Sequence, residues 1–300
     1  MTDEQEGALS ALTVLDLSEG IAGPYAARLF AEQGARVIKV ERPGGGDVAR
    51  RWPAAKQGLV FAALNADKLG LSLDYETPAG ADVLGRLVDH ADAIIEDHPP
   101  RRRPDLGLGD AELIGRAPRL VIGRVAGFGP GGPYRGRPLT TLTLAAAAGL
   151  LSPDRLDAAF HRPLEQVVGM HAFLAVLAAL WRASQTEHGQ VVEIGGMEAM
   201  VATAGKALAD RLSGHAGGSL AGGPGSPVDL STLRAAGLVQ EVEDSTFGRL
   251  AYPLAPFDLP SAPRPVGPAP ALGEHTEHVL HDILGLEAAE VAALRAQGVV

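Results

Sequence analysis

The first fifty residues change their hydrophobic period twice. Val14-Leu15-Asp16-Leu17 is a short apolar run that reads as a buried strand. From Tyr25 to Gln33 the apolar residues recur at helical spacing. Ala22-Gly23-Pro24 is the turn before it, with Pro24 at a first helical position and Gly34 as the cap. Val37-Ile38-Lys39-Val40 is apolar again and predicts a second strand. Strand, helix, strand in so short a span is a βαβ unit. It predicts a parallel sheet with helices on its faces. The turn after the first strand is where such sheets take their ligands. That turn lacks G-x-G-x-x-G, which argues against a dinucleotide site.

The same reading extends along the chain. Thr77 is an N-cap with Pro78 at N1, opening a helix to about Asp89. Ala93-Ile94-Ile95-Glu96 is a strand, Asp110 to about Arg116 a helix, and Leu120-Val121-Ile122-Gly123 a strand. Leu139 to Leu151 is an apolar helix. Glu165 to Ser184 is a long one, apolar on nearly every side and therefore expected to be buried. Val191-Val192-Glu193-Ile194 is a strand and Met197 to Arg211 a helix. Leu238 to Glu243 and Gly248 to Pro253 pair as a hairpin. The pattern predicts a doubly wound α/β domain of Rossmann-like kind. Gly214 to Pro227 breaks in composition with both flanks and reads as a flexible low-complexity stretch.

Composition narrows the function. Of 300 residues 46% are hydrophobic, enough for a full core. There is no cysteine, which removes thiolate nucleophiles, disulfides and Cys-based metal sites. A net charge of −10 and 4% aromatics argue against nucleic-acid partners. The acidic, polar start MTDEQEGALS is unlike a secretory signal, and Ala145 to Leu151 is too short to span a bilayer. Together these predict a cytoplasmic protein with no membrane partner.

Four blocks carry a resemblance. They are Val14 to Asp47 (VLDLSEGIAGPYAARLFAEQGARVIKVERPGGGD), Asn65-Ala66-Asp67-Lys68 through Ser72-Leu73-Asp74, Gly127-Phe128-Gly129-Pro130-Gly131-Gly132-Pro133-Tyr134, and Leu272-Gly273-Glu274-His275-Thr276 with Val279-Leu280. In this order they resemble the signatures of the family III CoA-transferases, the CaiB/BaiF group, over about residues 11–205 and 237–300. The resemblance implies a Rossmann-like domain over 1–212, a Gly-rich linker over 213–232 and a remnant of a small domain over 233–258. The last part, 259–300, would be a C-terminal helical segment that packs back on the N-terminal domain. Relative to the family, on the order of 100 residues of the small domain are missing.

The resemblance also implies the chemistry. The family's nucleophile is an aspartate four residues before the glycine matching Gly169; here that position is Glu165. Such a carboxylate attacks a thioester carbonyl and carries first an acyl group, then CoA, splitting a hard exchange into easier steps. By position alone Glu165 also reads as an acid near a helix start, favoured by the macrodipole. Arg42 matches an arginine that contacts the nucleotide end of CoA, and Lys68 is a retained point charge for phosphate. Asp97 lies in Glu96-Asp97-His98-Pro99-Pro100-Arg101, where the family has E-N-F-x-P-G. The carboxylate is unfavourable beside a phosphate-bearing ligand. Arg101-Arg102-Arg103 reads either as compensation or as a solvated basic run. Arg137 occupies a place near the CoA path that is commonly basic, and is otherwise a surface arginine. Racemases of this fold carry a histidine on the segment after G-P-Y-x-x-R-P. Here that segment is Pro138-Leu139-Thr140-Thr141-Leu142, which disfavours racemisation. His171 reads as a packing or hydrogen-bonding residue, and Thr276 or a neighbour as a helix cap. His275, His278 and His281 drift in spacing and make no convincing metal set.

The expected partners are a CoA thioester and a carboxylic acid, with no metal cofactor. The expected assembly is an interlocked homodimer, or a heterodimer with a full-length relative. The alternatives are a non-catalytic paralogue that binds acyl-CoA or serves as a partner subunit, or an acyl-CoA isomerase or lyase on the same fold.

Overall fold

A computed structural model describes residues 7–52, 57–131, 133–138, 140–147, 158–203, 230–253 and 266–300. Six parallel strands form its centre: β1 (Thr13–Asp16), β2 (Arg36–Glu41), β3 (Leu69–Ser72), β4 (Ala93–Glu96), β5 (Val121–Ala126) and β6 (Gln190–Gly195). Their order is β3-β2-β1-β4-β5-β6, so the winding reverses between β1 and β4. The helices are α1 (Ala22–Glu32), α2 (Leu59–Asn65), α3 (Pro78–Asp89), α4 (Asp110–Arg116), α5 (Thr141–Ala147), α6 (Ala158–Thr186), α7 (Gly196–Thr203) and α8 (Leu230–Ala235). α9 (Thr276–His278) continues as a π turn over Val279–Ile283, and α10 (Ala288–Ala296) follows.

Strand alternation sorts the core into two layers. Val14, Val37, Ile95 and Val121 face α1, α5, α6 and α7. Leu15, Ile38, Ile94 and Ile122 face α3, α4 and the C-terminal segment, which contributes Val279, Leu280, Leu286, Val291 and Val299. Thr77 caps α3 by accepting from the Gly80 amide at 3.1 Å, with Pro78 in the first turn, as the sequence predicts.

The strand β3 and the helix α2 carry no periodicity that identified them in the sequence. β3 is four residues long and contains Gly70. It is the edge strand of the sheet, and residues 266–300 cover that edge. The His275 amide donates to Gly70 O at 2.8 Å, and the Gly70 amide donates to His275 Nδ1 at 3.1 Å. The Ser72 amide donates to Thr276 Oγ1 at 3.1 Å, and the Asp74 amide to Val299 O at 2.7 Å. His275 stands at the N-cap of α9, as expected of a neighbour of Thr276, but makes no side-chain cap bond; its side chain and that of Thr276 close the sheet edge instead.

α6 departs from expectation too. It packs one side on α1 and the sheet through Val168, Ala172, Val176 and Ala179. Met170, Leu174 and Trp181 on the other side are 46%, 64% and 70% exposed. By length and apolarity Pro163–Thr186 matches a membrane-crossing helix. In this chain one flank of it is core and the other has no cover among the described residues.

β7 (Val239–Asp244) and β8 (Gly248–Pro253) form the expected hairpin. The Asp244 carboxylate organises its turn by accepting from the Thr246 and Phe247 amides at 2.8 and 2.9 Å. The ends predicted for the helices after Leu139 and Met197, and nearly all of the linker 213–232, lie outside the described residues.

Candidate active site

At the reversal between β1 and β4 the two strands part, and the turns that follow them face each other. The Leu17 amide donates to Ile95 O at 2.9 Å, the last rung before the split. Beyond it the turn Ser18-Glu19-Gly20 is held from below by charge. Asp16 takes the Ser18 amide at 3.1 Å and its hydroxyl at 2.5 Å, Lys39 Nζ donates to Ser18 O, and the Gly20 amide donates to Asp47 Oδ1 at 3.0 Å. Gly23 follows where any side chain would strike Ser18, its Cβ lying 2.2 Å from Oγ.

Two lysines and two aspartates make this support. Lys39 lies 2.9 Å from Asp47 and 3.6 Å from Asp16, and Lys68 lies 2.7 Å from Asp16, all without solvent contact. Burial pushes the Asp16 carboxyl up, but Lys39 and Lys68 more than reverse this and hold it below its ordinary value. Burial likewise pulls Lys39 down, and Asp16 and Asp47 carry it above its ordinary value. Lys68 is pulled down to about 8 by burial. Its three donors reach Asp16 Oδ2 at 2.7 Å, Pro24 O at 2.8 Å and Asn65 Oδ1 at 2.7 Å. An ammonium has no fourth proton to give, so this geometry does not offer Lys68 to a phosphate.

The mouth of the reversal holds Arg42 and Asp97, which the structure does bring together. Asp97 Oδ2 accepts from the Glu19 amide at 3.1 Å, and burial raises its carboxyl well above the usual range. Burial also raises Glu19, and the Asp47 charge adds to it. Arg42 pairs with Glu76 at 2.6 Å with its side chain 43% exposed, so it remains reachable. Beside it Tyr75 is buried, and burial pushes its hydroxyl up to about 12. Tyr75 OH lies 3.0 Å from His98 Nε2, and His98 Nδ1 lies 3.2 Å from Glu96 Oε2. The basic run divides: Arg102 joins Glu76 at 2.7 Å, while Arg103 is buried against Glu96 at 2.8 Å.

Glu165 reaches the same end of the sheet from above. α6 runs antiparallel to the strands. A Cβ on Gly169 would sit 2.5 Å from Ala22 O, and one on Gly123 would sit 2.5 Å from Val176. Glu165, one helical turn before Gly169, thus lies beyond the start of α1, at the carboxyl ends of the strands. It is buried and accepts a hydrogen bond from the Thr141 hydroxyl. His171 bonds within its own helix, Nδ1 2.8 Å from Val167 O. Arg137 is exposed and stacks on Tyr134 at 4.6 Å.

The sequence named Glu165, Arg42, Asp97, Lys68 and Arg137 as site candidates. Glu165, Arg42 and Asp97 stand at the carboxyl ends of the strands, whereas Lys68 is enclosed beneath the β1 turn and Arg137 lies on the outer loop. Thr141, Tyr75 and the Asp16–Lys39–Asp47 set were not singled out. The signal for the set is a charge at Lys39 in the middle of an apolar strand. Nothing local marks Thr141, because its partner is 24 residues away.

Residues 9–228 match the family described as CoA-transferase family III. The chain is 34% identical over 216 residues to a succinyl-CoA–D-citramalate CoA-transferase of Chloroflexus aurantiacus, covering 69% of this chain and 54% of that protein. It is 33% identical over 194 residues to the beta subunit of a succinyl-CoA–L-malate CoA-transferase of the same organism, covering 62% and 48%. The crystal structure of a CAIB/BAIF family protein from Brucella suis shares the fold. Its TM-score is 0.79 at 19% identity, over 93% of this chain and 100% of that one. The chain spans about half the length of the curated relatives it matches.

Proposed function

This chain belongs to CoA-transferase family III, and on that premise we propose that it moves coenzyme A between carboxylic acids through covalent intermediates on Glu165. The observation that carries the reading is a buried carboxylate at the carboxyl end of the sheet, above the strand reversal, with one oxygen held by Thr141. One oxygen of Glu165 attacks the thioester carbonyl, the C–S bond breaks, and CoA leaves as thiolate. The thiolate then attacks the Glu165 carbonyl carbon of the resulting anhydride and expels the donor carboxylate. An acceptor carboxylate reverses the two steps and leaves as its CoA thioester. Arg42 supports the reading from the other end, as an exposed guanidinium suited to a phosphate or to adenine stacking. Arg137 stands nearer the loop and is a second candidate for the CoA path. Asp97, a carboxyl that burial keeps protonated to a higher pH, is a candidate neighbour of the bound nucleotide.

The test is to incubate the chain with acetyl-CoA and with succinyl-CoA, then trap with hydroxylamine or borohydride. A mass shift on the peptide spanning Leu164 to His171 is expected, and Glu165→Gln abolishes it. Bound CoA with no adduct in the parent overturns the nucleophile. That outcome favours the second reading, an acyl-CoA-binding paralogue or partner subunit. The inward Lys68 and the acid at position 97 support that alternative.

The assembly belongs to the proposal as well. The apolar stripe of α6, uncovered among the described residues, supports a homodimer, or a pairing with a full-length relative.

A further inference from the structure

We propose that Thr141 is a catalytic residue, the hydrogen-bond donor to the oxyanion that forms on Glu165 itself. The inference rests on the reading of Glu165 as nucleophile. Thr140, Thr141 and Thr143 stand together at the start of α5, and the structure gives them different work. Thr140 and Thr143 satisfy each other. The Thr140 amide donates to Thr143 Oγ1 at 3.1 Å, the Thr143 amide to Thr140 Oγ1 at 3.1 Å, and the hydroxyls lie 2.8 Å apart. This reciprocal cap is exposed and fixes the helix start. Thr141 is left out of it, turns inward, is buried, and donates its hydroxyl proton to Glu165 Oε1.

The choice of oxygen has a chemical consequence. In this proposal Thr141 keeps its bond to Oε1 while Oε2 attacks the thioester and becomes the bridging oxygen of the anhydride. Oε1 is then the carbonyl oxygen of the glutamyl group. When CoA thiolate attacks Cδ, the carbonyl electron pair moves onto Oε1. It returns as the donor carboxylate departs with Oε2. The acceptor carboxylate attacks the glutamyl thioester at the same carbon, again charging Oε1, and expels the thiolate. Both tetrahedral species therefore carry their negative charge on the one atom that Thr141 already faces. A donor fixed before the charge appears needs no reorganisation to stabilise it, and donors of this kind are worth about 100- to 1,000-fold in rate.

The experiment measures exchange of labelled acetate or succinate into the matching CoA thioester, with CoA affinity determined separately by calorimetry. Thr141→Val removes the hydroxyl at nearly constant volume. It should lower kcat at least about 100-fold while the CoA Kd stays within about twofold, and Thr141→Ser should recover to within about tenfold of the parent. Parent-like kcat in Thr141→Val overturns the proposal, as does an equal loss of CoA affinity, which marks a structural role. If Thr141→Val does not fold, Thr141→Ala against Thr141→Ser makes the same comparison, and equal rates in those two overturn it. Glu165→Gln separates the premise. Exchange that survives Glu165→Gln, or a parent that neither exchanges nor forms an adduct, sinks both readings. A silent Glu165→Gln beside a fully active Thr141→Val sinks this one alone.

Discussion

Lys68 and Asp16 form a closed ion pair, 2.7 Å from Nζ to Oδ2, in which neither side chain reaches solvent. It ties the start of β3 to the end of β1 and, through Pro24 O, to the start of α1. Removing one partner of a buried pair strands the other charge, at a cost of about 3–5 kcal/mol. Here Lys39 remains 3.6 Å from Asp16, so Lys68→Met is expected to lower the urea unfolding free energy by about 1–3 kcal/mol, the cost of the buried acceptors it leaves unpaired. A loss below about 1 kcal/mol, typical of exposed pairs, would contradict the closed geometry.

Asp97→Asn should stabilise the fold at neutral pH. Burial raises the Asp97 carboxyl, so the folded chain keeps its proton above the ordinary value of 3.8 at which the unfolded chain loses it. The stability this group contributes is full below that value and is lost as pH rises through the raised folded value. Asparagine keeps an oxygen for the Glu19 amide and never ionises. The gain is therefore expected at pH 7 and should vanish near pH 3. Melting curves across this range check it; a variant less stable than the parent at pH 7 refutes it. The same change should tighten CoA, since it removes a carboxyl from beside an anionic ligand.

Arg42→Ala should weaken CoA binding by about 1–3 kcal/mol, the usual worth of a hydrogen bond to a charged group. Arg42 also hydrogen-bonds the buried Tyr75 beside its pairing with Glu76, so a melting curve of the variant separates lost affinity from lost stability. Calorimetry reads the change directly, and unaltered affinity would place the phosphates elsewhere.

Gly169→Ala should destabilise the chain although alanine is the better helix former. The added carbon would sit 2.5 Å from Ala22 O and 3.1 Å from the Tyr25 ring, so α6 must lift from α1. A cost of about 1–3 kcal/mol is expected, with slower adduct formation because Glu165 rides on the same helix. Unchanged stability would mean that the crossing is looser than described.

The stripe of Met170, Leu174 and Trp181 is expected to be covered in solution by a second chain, with well above about 2,000 Å² buried in total, as in obligate pairs. Light scattering at micromolar concentration should return a dimer, and Trp181→Lys should weaken it. A parent monomer under those conditions refutes the assembly.

What the sequence determined by itself is what local periodicity can encode. Val14 to Val40 already states strand, helix and strand, because residues on one side of a strand or helix recur at fixed spacing whatever they touch. Thr77 and Pro78 state a helix start for the same reason. Glu165 and Arg42 were legible through the motifs around them. Tertiary structure alone decided which charges are enclosed and which stand open. Lys68 and Arg42 are equivalent as sequence signals, yet one is enclosed by Asp16, Asn65 and Pro24 and the other stands open beside Glu76. It decided that short, glycine-bearing β3 is a strand, since the pairing comes from Val40 and its neighbours on one side and from His275 on the other. It also decided that Thr141, one of three similar threonines, meets Glu165. Burial and hydrogen-bond partners depend on chain segments far apart in sequence, and no local pattern carries them.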